Sequence, residues 1–291
     1  MNMSVFAAAI VAVSLSTAPA CAQADPVSDD DTIVVTGQQM TRGQAHEMAT
    51  KYTRAVLAPS VADQNARWSL PICIGVVGLR EEYALVVIDR IEASAKAAGA
   101  RVASAGCTPN VMLTFVSDSD MVFADLYRTR GDLLSNTDPQ EERKLKEKGL
   151  PVRWFYSQAV EGVGGRATLA GDGGVPILNN IKGSRIDGPA QVSITGCTVL
   201  VDIPRVSRVT VDALTDYIAF AVLSRTRIGA TPGVASIMNL FDAPEADRPA
   251  GMTLMDKAML KALYRIPINR TSAVHRSQMA SEMIKEIATA P

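Results

Sequence analysis

Two aspartates on one predicted helix, Asp212 and Asp216, have the types and spacing best suited to chemistry. They are four residues apart within residues 211–227, whose apolar spacing predicts a helix, so their side chains share one helix face. Two close carboxylates can bind a cation, or can hold different pKa values and act as acid and base. A structural role is favoured, because Asp212 lies in the first turn, where the helix dipole stabilises an anion, and Asp216 can pair with Arg205 or Arg208.

The familiar metal-ligand and nucleophile motifs are incomplete in this sequence. The chain has two histidines, and the run that begins at His46 has Thr50 where the zinc motif H-E-x-x-H needs its second histidine. We expect His46 to be solvated, and His275 to lie at the surface or to cap the last helix. There is no G-x-S-x-G motif, and the glycine runs at 162–165 and 171–174 do not match a phosphate-binding loop. We therefore predict no cofactor and no metal.

The N-terminal residues have the features of a secretory signal peptide. An apolar core at 5–15 is too short to span a membrane, and an A-x-A motif ends at Ala24, after which we expect cleavage. Lipidation at Cys21 is the alternative, but the preceding residues lack the large aliphatic side chain of a lipobox. We expect the mature protein to be periplasmic or secreted. The predicted boundaries are a signal peptide at 1–24, a flexible leader at 25–40 and a single globular domain at 41–291.

Cleavage after Ala24 leaves three cysteines in a compartment where disulfides persist. Cys73 lies on a predicted strand, and Cys107 follows a helix that can return the chain beside it. A Cys73–Cys107 disulfide with Cys197 free is therefore favoured, and the other pairings stay open because sequence does not fix connectivity.

The composition predicts a globular protein and excludes some partners. Hydrophobic residues are 47% and charged residues 20% of the chain. The net charge of −1 argues against a nucleic-acid surface, and no later apolar run is long enough to cross a membrane. Residues 31–37 loosely resemble the TonB box of bacterial outer-membrane receptors, with a disordered leader or a short edge strand as the favoured alternative.

The periodicity of apolar residues predicts an α+β fold, a mixed β-sheet with packed helices and a helical C-terminal part. Strands are predicted at 68–79, 111–116, 152–160 and 191–203. Helices are predicted at 41–57, 80–98, 118–134, 211–227, 234–241, 253–264 and 273–288. The apolar stripe of the second helix is predicted to be Tyr83, Val86, Val87, Ile91 and Ala95. The charged segment at 136–149 is expected to be a solvated excursion.

This order of elements resembles the zincin metalloprotease fold over about residues 65–265. In zincins the long helix after the sheet carries H-E-x-x-H, and here Thr215 and Ala219 stand at the two histidine positions, with Asp216 at the general base. The tetrapeptide S-I-M-N that contains Met238 resembles the methionine turn of the metzincin branch, and also an uncharacterised family of bacterial secreted proteins. The resemblance implies a zincin-like fold that has lost its metal site, since a catalytic zinc needs three protein ligands.

The sequence therefore predicts an exported, non-catalytic, zincin-like binding or scaffold protein. Its expected partner is a peptide or another envelope protein, because function lies in sites and not in folds. The alternative is a hydrolase with an unconventional site formed by Asp212, Asp216 and Tyr217.

Overall fold

The computed structural model describes residues 32–35, 38–58, 64–135, 137–162, 169–170, 176–177, 184–188 and 190–289. The predicted signal peptide, with Cys21 and the cleavage point after Ala24, lies outside the described residues. So does most of the glycine-rich segment at 162–174.

The strands and helices of the described residues follow the predicted order closely. The strands are β1 (Thr32–Val35), β2 (Gln38–Thr41), β3 (Arg67–Trp68), β4 (Ile74–Val77), β5 (Val111–Val116), β6 (Val152–Gly162), β7 (Leu169–Ala170), β8 (Pro176–Ile177) and β9 (Ala190–Asp202). The α-helices are α1 (Arg42–Val56), α2 (Glu81–Ala98), α3 (Ser119–Thr129), α4 (Pro139–Leu145), α5 (Ile203–Val206), α6 (Val211–Leu223), α7 (Leu254–Arg265) and α8 (Ser272–Ala288). Short 3-10 helices lie at Gly131–Leu134, Ile237–Asn239 and Glu245–Asp247.

Strand β9 is the centre of a mixed five-stranded sheet. β6 runs antiparallel to it, from Val152 opposite Val201 to Gly162 opposite Ala190. Because a strand has two edges, the parallel partners β3 and β5 share the other edge of β9, and β4 extends the sheet beyond β5. The predicted α+β fold, with a mixed sheet, packed helices and a helical C-terminal part, is confirmed.

The predicted strand at 68–79 is two separate strands, β3 and β4. Pro71 has no N–H to give to a β-ladder, and the chain leaves the sheet around it. Ile72 then forms a parallel bridge with Val102, and β4 pairs with β5 while β3 pairs with β9.

Helix α6 is buried on every side from Ala213 to Leu223. The Thr210 hydroxyl caps its first turn, as predicted, by accepting a hydrogen bond of 3.2 Å from the N–H of Ala213. The helix ends at Leu223, short of the predicted end, because Thr226 pairs in an antiparallel bridge with the residue that follows α1.

Aromatic side chains satisfy the buried C-terminal carbonyl groups of α6. A helix leaves its last four carbonyl groups without partners of its own. The donors are Trp68 Nε1 to the carbonyl of Val222 at 2.7 Å, the Tyr156 hydroxyl to that of Ala221 at 2.7 Å and the Tyr264 hydroxyl to that of Leu223 at 2.8 Å. These bonds hold α6 against β3, β6 and α7, and so fix the position of the aspartates on it.

The buried face of α2 differs from the predicted stripe. Tyr83 and Val86 are about half exposed, at 50% and 51%. The residues of α2 that are buried are Val87, Ile91, Ala95 and Ala98. Each residue turns a helix by about 100°, so Tyr83 points about 120° away from Ala95, and one face cannot bury both.

The charged segment at 136–149 is not simply solvated. Part of it forms α4, which begins with Asp138 as its cap and buries Leu145. Glu141 on this helix forms an ion pair of 2.9 Å with Arg225, whose side chain is buried.

The expected flexible leader at 25–40 contains an ordered hairpin in its described part. β1 and β2 pair antiparallel, with Thr32 opposite Thr41. Ile33 and Val35 are buried, and β1 lies against α8 and α1. The alternation of apolar residues in this short strand gives it one buried face, which is what holds it to the helices.

The cysteine predictions are confirmed. Cys73 and Cys107 form a disulfide with a Cα–Cα distance of 6.1 Å. Cys197 on β9 is a buried free thiol, and its burial raises its pKa. Separately, none of the helices in the described part of the chain is long and apolar enough to cross a bilayer.

Candidate functional site

The two predicted aspartates share one cation, Arg90 of α2. Its Nε donates a 2.7 Å hydrogen bond to Oδ1 of Asp216, and its second guanidinium nitrogen lies 3.1 Å from Oδ1 of Asp212. The expected pairing of Asp216 with Arg205 or Arg208 is wrong, because Arg205 instead binds carboxylates at the end of β9 and in α3. The hydrogen bond with Asp216 raises the pKa of Arg90.

The loop before α7 occupies the other oxygen of Asp216. The backbone N–H of Met252 donates a 2.8 Å hydrogen bond to Oδ2 of Asp216. A Cβ atom on Gly251 would lie 2.6 Å from the same oxygen, so only glycine lets the loop come this close. Asp216 therefore ties α6 to α2 and to the start of α7, and both its oxygens are occupied.

Tyr217 does not join the two aspartates. Its ring packs edge-on against Trp154 at 5.7 Å and Phe241 at 5.0 Å between ring centres. Burial raises the pKa of the Tyr217 hydroxyl well above its usual value. The structure thus brings Asp212 and Asp216 together around Arg90 and places Tyr217 in an aromatic cluster.

A groove of about 640 Å³ lies beside Asp216, between α2 and α7. The α2 side consists of Arg90, Ala93, Ser94, Ala97 and Ala98, which share one face because they are three or four residues apart. The α7 side consists of Leu254, Lys257, Ala258 and Lys261, which have the same spacing. Met252, Leu260, Glu286 and Thr289 complete the lining with Asp216. The alanines on α2 leave the space that larger side chains would fill.

The groove runs lengthwise between two helices that point the same way. At one end, Asp216 links Arg90 of α2 to Met252, just before α7. At the other end, Gly99, which ends α2, lies against Tyr264 near the end of α7. From Arg90 to Gly99 the α2 wall is about 14 Å long at 1.5 Å per residue.

The charges at both ends of the groove are already paired. Arg90 binds Asp212 and Asp216 at one end. Glu286 binds Lys261 at 2.8 Å and Arg265 at 2.6 Å at the other end, and the hydrogen bond from Lys261 is the main cause that lowers the pKa of Glu286. One arginine thus faces two carboxylates at the first end, and two cations face one carboxylate at the other. The middle of the groove is left to apolar side chains and one lysine.

Lys257, in the middle of the α7 wall, differs from the other groove cations. It is exposed, and no carboxylate of the described residues forms an ion pair with it. The exposed side chain of Leu254, 40% accessible, lies one turn before it on the same face. The groove therefore combines an apolar floor with one positive charge that has no ion-pair partner in the described part of the chain.

Met238 lies in the short helix Ile237–Asn239, and a buried carboxylate organises the turn around it. Asp256 of α7 accepts hydrogen bonds at Oδ1 from Ser236 Oγ at 2.6 Å and from the Tyr52 hydroxyl. Its Oδ2 accepts from the N–H groups of Ile237 and Thr253, each at 2.7 Å. Asp256 is fully buried, so this cluster joins α1, the turn and α7 and does not face a ligand. Neither here nor elsewhere in the described residues do three or more His, Cys, Asp or Glu side chains form a group that could hold a metal.

A second polar cluster lies at the carboxyl end of β5 and β9, where parallel sheets often bind ligands. Asp202 accepts hydrogen bonds at Oδ2 from the N–H of Ser119 at 2.9 Å and from Arg205 at 2.7 Å. Arg205 also binds Asp120 at 2.8 Å, and Arg153 binds Asp120 from below. Burial raises the pKa of Asp120, but the hydrogen bonds from Arg153, Gly149 and Arg205 outweigh it and lower the pKa. These groups satisfy one another, so we assign the cluster to structure.

The two histidines lie apart from the groove. His46 is partly exposed on α1. His275 is fully buried on α8, so the expected surface position is wrong. Neither of its ring nitrogens has a hydrogen-bond partner among the residues that the structure describes. Burial is the main cause that lowers its pKa to about 4, with the nearby Arg67 and Arg276 as further causes. A lone histidine gives no periodic signal, so its burial could not be predicted from the sequence.

The sequence pattern indicated Asp212 and Asp216 but did not indicate Arg90, Lys257 or the groove itself. A signal was present, since the small residues of α2 recur on one face at 93, 94, 97 and 98. Small residues at helical spacing also fit close helix packing, so their pattern alone does not indicate an open groove.

Comparisons with protein-family models, with curated proteins and with solved structures find no match for this chain. The resemblance to zincins therefore stays a prediction.

Proposed function

We propose that this protein is a non-catalytic binding protein of the cell envelope and that the groove between α2 and α7 is its ligand site. The observation that carries the proposal is the groove, whose volume of about 640 Å³ falls in the range of small-molecule sites. Ligand sites are commonly mostly apolar with few polar groups, and this groove fits that description.

The chemistry of the lining supports binding over catalysis. The described residues that line the groove include two hydroxyl groups, those of Ser94 and Thr289, and no histidine or cysteine. The Thr289 hydroxyl donates a 2.9 Å hydrogen bond to the carbonyl of Lys285. Both oxygens of Asp216 are held by Arg90 and Met252, so this carboxylate is not free to act as a base. With Tyr217 on another face of α6, no observation favours the hydrolase alternative.

An envelope location is part of the proposal. The Cys73–Cys107 disulfide is of the kind that persists outside the reducing cytoplasm. The signal-peptide features at 1–24 point the same way.

The proposal is tested with Nile red, an uncharged apolar dye whose emission rises in apolar sites. Ala93 and Ala97 are exposed on the groove wall, so Ala93→Trp and Ala97→Trp place an indole in the groove without disturbing the buried face of α2. Ala124, exposed on α3, provides the matched control Ala124→Trp.

We expect the wild-type chain and Ala124→Trp to bind Nile red alike, and both groove variants to lose the binding while keeping the wild-type circular dichroism spectrum. If both groove variants bind the dye as the wild type does, the groove is not the ligand site and the proposal fails.

A further inference from the structure

We infer that the groove binds a small amphiphile with one carboxylate, whose negative head pairs with Lys257 and whose apolar tail lies along the alanine face of α2. This inference rests on the proposed function and names the ligand class of the same site.

Charge complementarity identifies the head group. Of the cations that line the groove, Arg90 and Lys261 already contact carboxylates at 2.7 Å and 2.8 Å. Lys257 has no such partner within the part of the chain that the structure describes. A single anionic group can therefore be neutralised at Lys257 without breaking an existing ion pair, and a charge-assisted hydrogen bond is the stronger kind.

The paired ends of the groove argue against a ligand with several charges. A second anionic group at the Arg90 end would meet two carboxylates, those of Asp212 and Asp216, and only one cation, so it would be repelled. At the far end Lys261 and Arg265 are already bound to Glu286, so a second anionic group would have to compete with that carboxylate. The ligand that fits has a single anionic group, placed at Lys257.

The shape of the floor identifies the tail. Ala93, Ala97 and Ala98 present methyl groups only, and Leu254 adds an exposed apolar side chain on the opposite wall. Covering this surface removes apolar area from water, at roughly 25 cal/mol per Å². An unbranched acyl chain is narrow enough to lie in the groove along its length.

The size of the groove favours a small molecule over a partner helix. The α2 wall of about 14 Å matches fewer than three turns of a docked helix at 5.4 Å per turn. The volume of about 640 Å³ lies within the range of small-molecule sites. An acidic amphipathic peptide is therefore kept as an outcome of the test.

The experiment measures the affinity of the full-length mature chain for dodecanoate, below its micellar concentration, by calorimetric titration. 1-Dodecanol is the uncharged ligand of the same length. Lys257→Gln removes the positive charge that is proposed to bind the carboxylate. Lys148→Gln is the matched control, because Lys148 is exposed, lies outside the groove and has no ion pair among the described residues.

We expect Lys257→Gln to weaken dodecanoate binding about tenfold, the loss of one charge-assisted hydrogen bond of about 1.5 kcal/mol. Lys148→Gln should bind dodecanoate like the wild type, and 1-dodecanol should bind equally to all three chains. Added salt should reduce the difference between the wild type and Lys257→Gln, since it screens the ion pair.

Three results overturn the inference: no dodecanoate binding by the wild type, equal binding by Lys257→Gln, or binding of an acidic amphipathic peptide but not of dodecanoate. If any of these occurs while Ala97→Trp still abolishes Nile red binding, the ligand class is wrong and the groove remains the site. If Ala93→Trp and Ala97→Trp both bind Nile red and dodecanoate as the wild type does, the proposed function itself fails.

Discussion

Arg153 is the residue that joins the helices over one face of the sheet to the strand beneath them. Its guanidinium is buried and donates to Ser119 Oγ at 2.6 Å, to the Glu147 carbonyl at 2.7 Å and to the Leu145 carbonyl at 3.1 Å. It also pairs with Asp120. Arginine can satisfy this many acceptors because its guanidinium carries five N–H donors in one plane.

Arg153→Met should destabilise the protein by about 3 kcal/mol or more, since the buried Ser119 hydroxyl and Leu145 carbonyl lose this donor. Asp120 keeps its ion pair with Arg205. Urea unfolding followed by circular dichroism measures the change. Arg130→Met is the control, because its pair with Asp132 is exposed to solvent and its loss should leave the midpoint close to that of the wild type. Equal midpoints for the two variants would contradict the role given to Arg153.

His275 makes the stability of the fold depend on pH. Its pKa is lowered from 6.5 to about 4 in the folded state, so the unfolded chain binds a proton more readily between these values. The contribution of neutral His275 to the free energy of unfolding is therefore complete above pH 6.5 and is lost as the pH falls towards 4. The free energy of unfolding decreases by about 3 kcal/mol over this range, at 1.36 kcal/mol per pKa unit.

His275→Leu should remove this acid-dependent loss of stability, because leucine fills the buried site without a group that gains a proton. The free energy of unfolding, measured in urea at a series of pH values from 7 to 4, gives the comparison. His46→Leu, at the partly exposed histidine of α1, is the control and should keep the wild-type slope. If the free energy of unfolding of His275→Leu falls with decreasing pH as steeply as that of the wild type, other groups cause the acid sensitivity.

At the scale of elements, Asp256 holds three segments that are far apart in the sequence. It accepts hydrogen bonds from Tyr52 of α1, from Ser236 and Ile237 of the turn and from Thr253. Buried donors that lose their acceptor cost about 1–3 kcal/mol each.

Asp256→Ala should therefore lower the free energy of unfolding by about 3 kcal/mol or more. Asp247→Ala, at an exposed aspartate in the neighbouring 3-10 helix, should change it by less than about 0.5 kcal/mol. Thermal unfolding of both variants tests this prediction. Equal melting temperatures for Asp256→Ala and Asp247→Ala would contradict the role of Asp256 in holding the three segments together.

Local signals allowed most elements to be predicted from the sequence. Thr210 caps α6 through its hydroxyl, and Gly99 ends α2 with a positive φ of 92°, as their residue types indicate. Long-range contacts were beyond local patterns. The partner of Asp216 is Arg90, 126 residues away, whereas the sequence pointed to arginines only a few residues from it. The bonds that end α6 come likewise from three aromatic residues on distant elements.

At the scale of the whole molecule, the disulfide Cys73–Cys107 closes a loop that contains α2. The two cysteines are 34 residues apart. In the chain-entropy model, closing a loop of this length lowers the entropy of the unfolded chain and so stabilises the folded state by about 4 kcal/mol. Because α2 forms one wall of the groove, losing the crosslink also weakens the site.

The double variant Cys73→Ser/Cys107→Ser should be less stable than the wild type by about 4 kcal/mol in urea unfolding. Dithiothreitol should lower the wild-type midpoint to a similar degree and leave that of the double variant unchanged. A wild-type midpoint that does not respond to reduction would contradict the stabilising role of the crosslink.

The groove could not be predicted from the sequence because it belongs to no single element. Arg90, Asp216, Lys257 and Glu286 come from four different helices, and only the packing of α2, α6, α7 and α8 brings them together. The spacing of Asp212 and Asp216 did indicate one end of it. Whether those carboxylates are free to bind a ligand depends on Arg90 and on the loop at Gly251. Both are brought next to the carboxylates only by the assembled fold.

The most direct measurement is a crystal structure of the protein with 12-bromododecanoate, in which anomalous scattering locates the bromine. The account predicts bromine between α2 and α7 against the alanine face, with the carboxylate in contact with Nζ of Lys257. Bromine at another surface, or a crystal soaked at saturating ligand with no bromine in the groove, would contradict it.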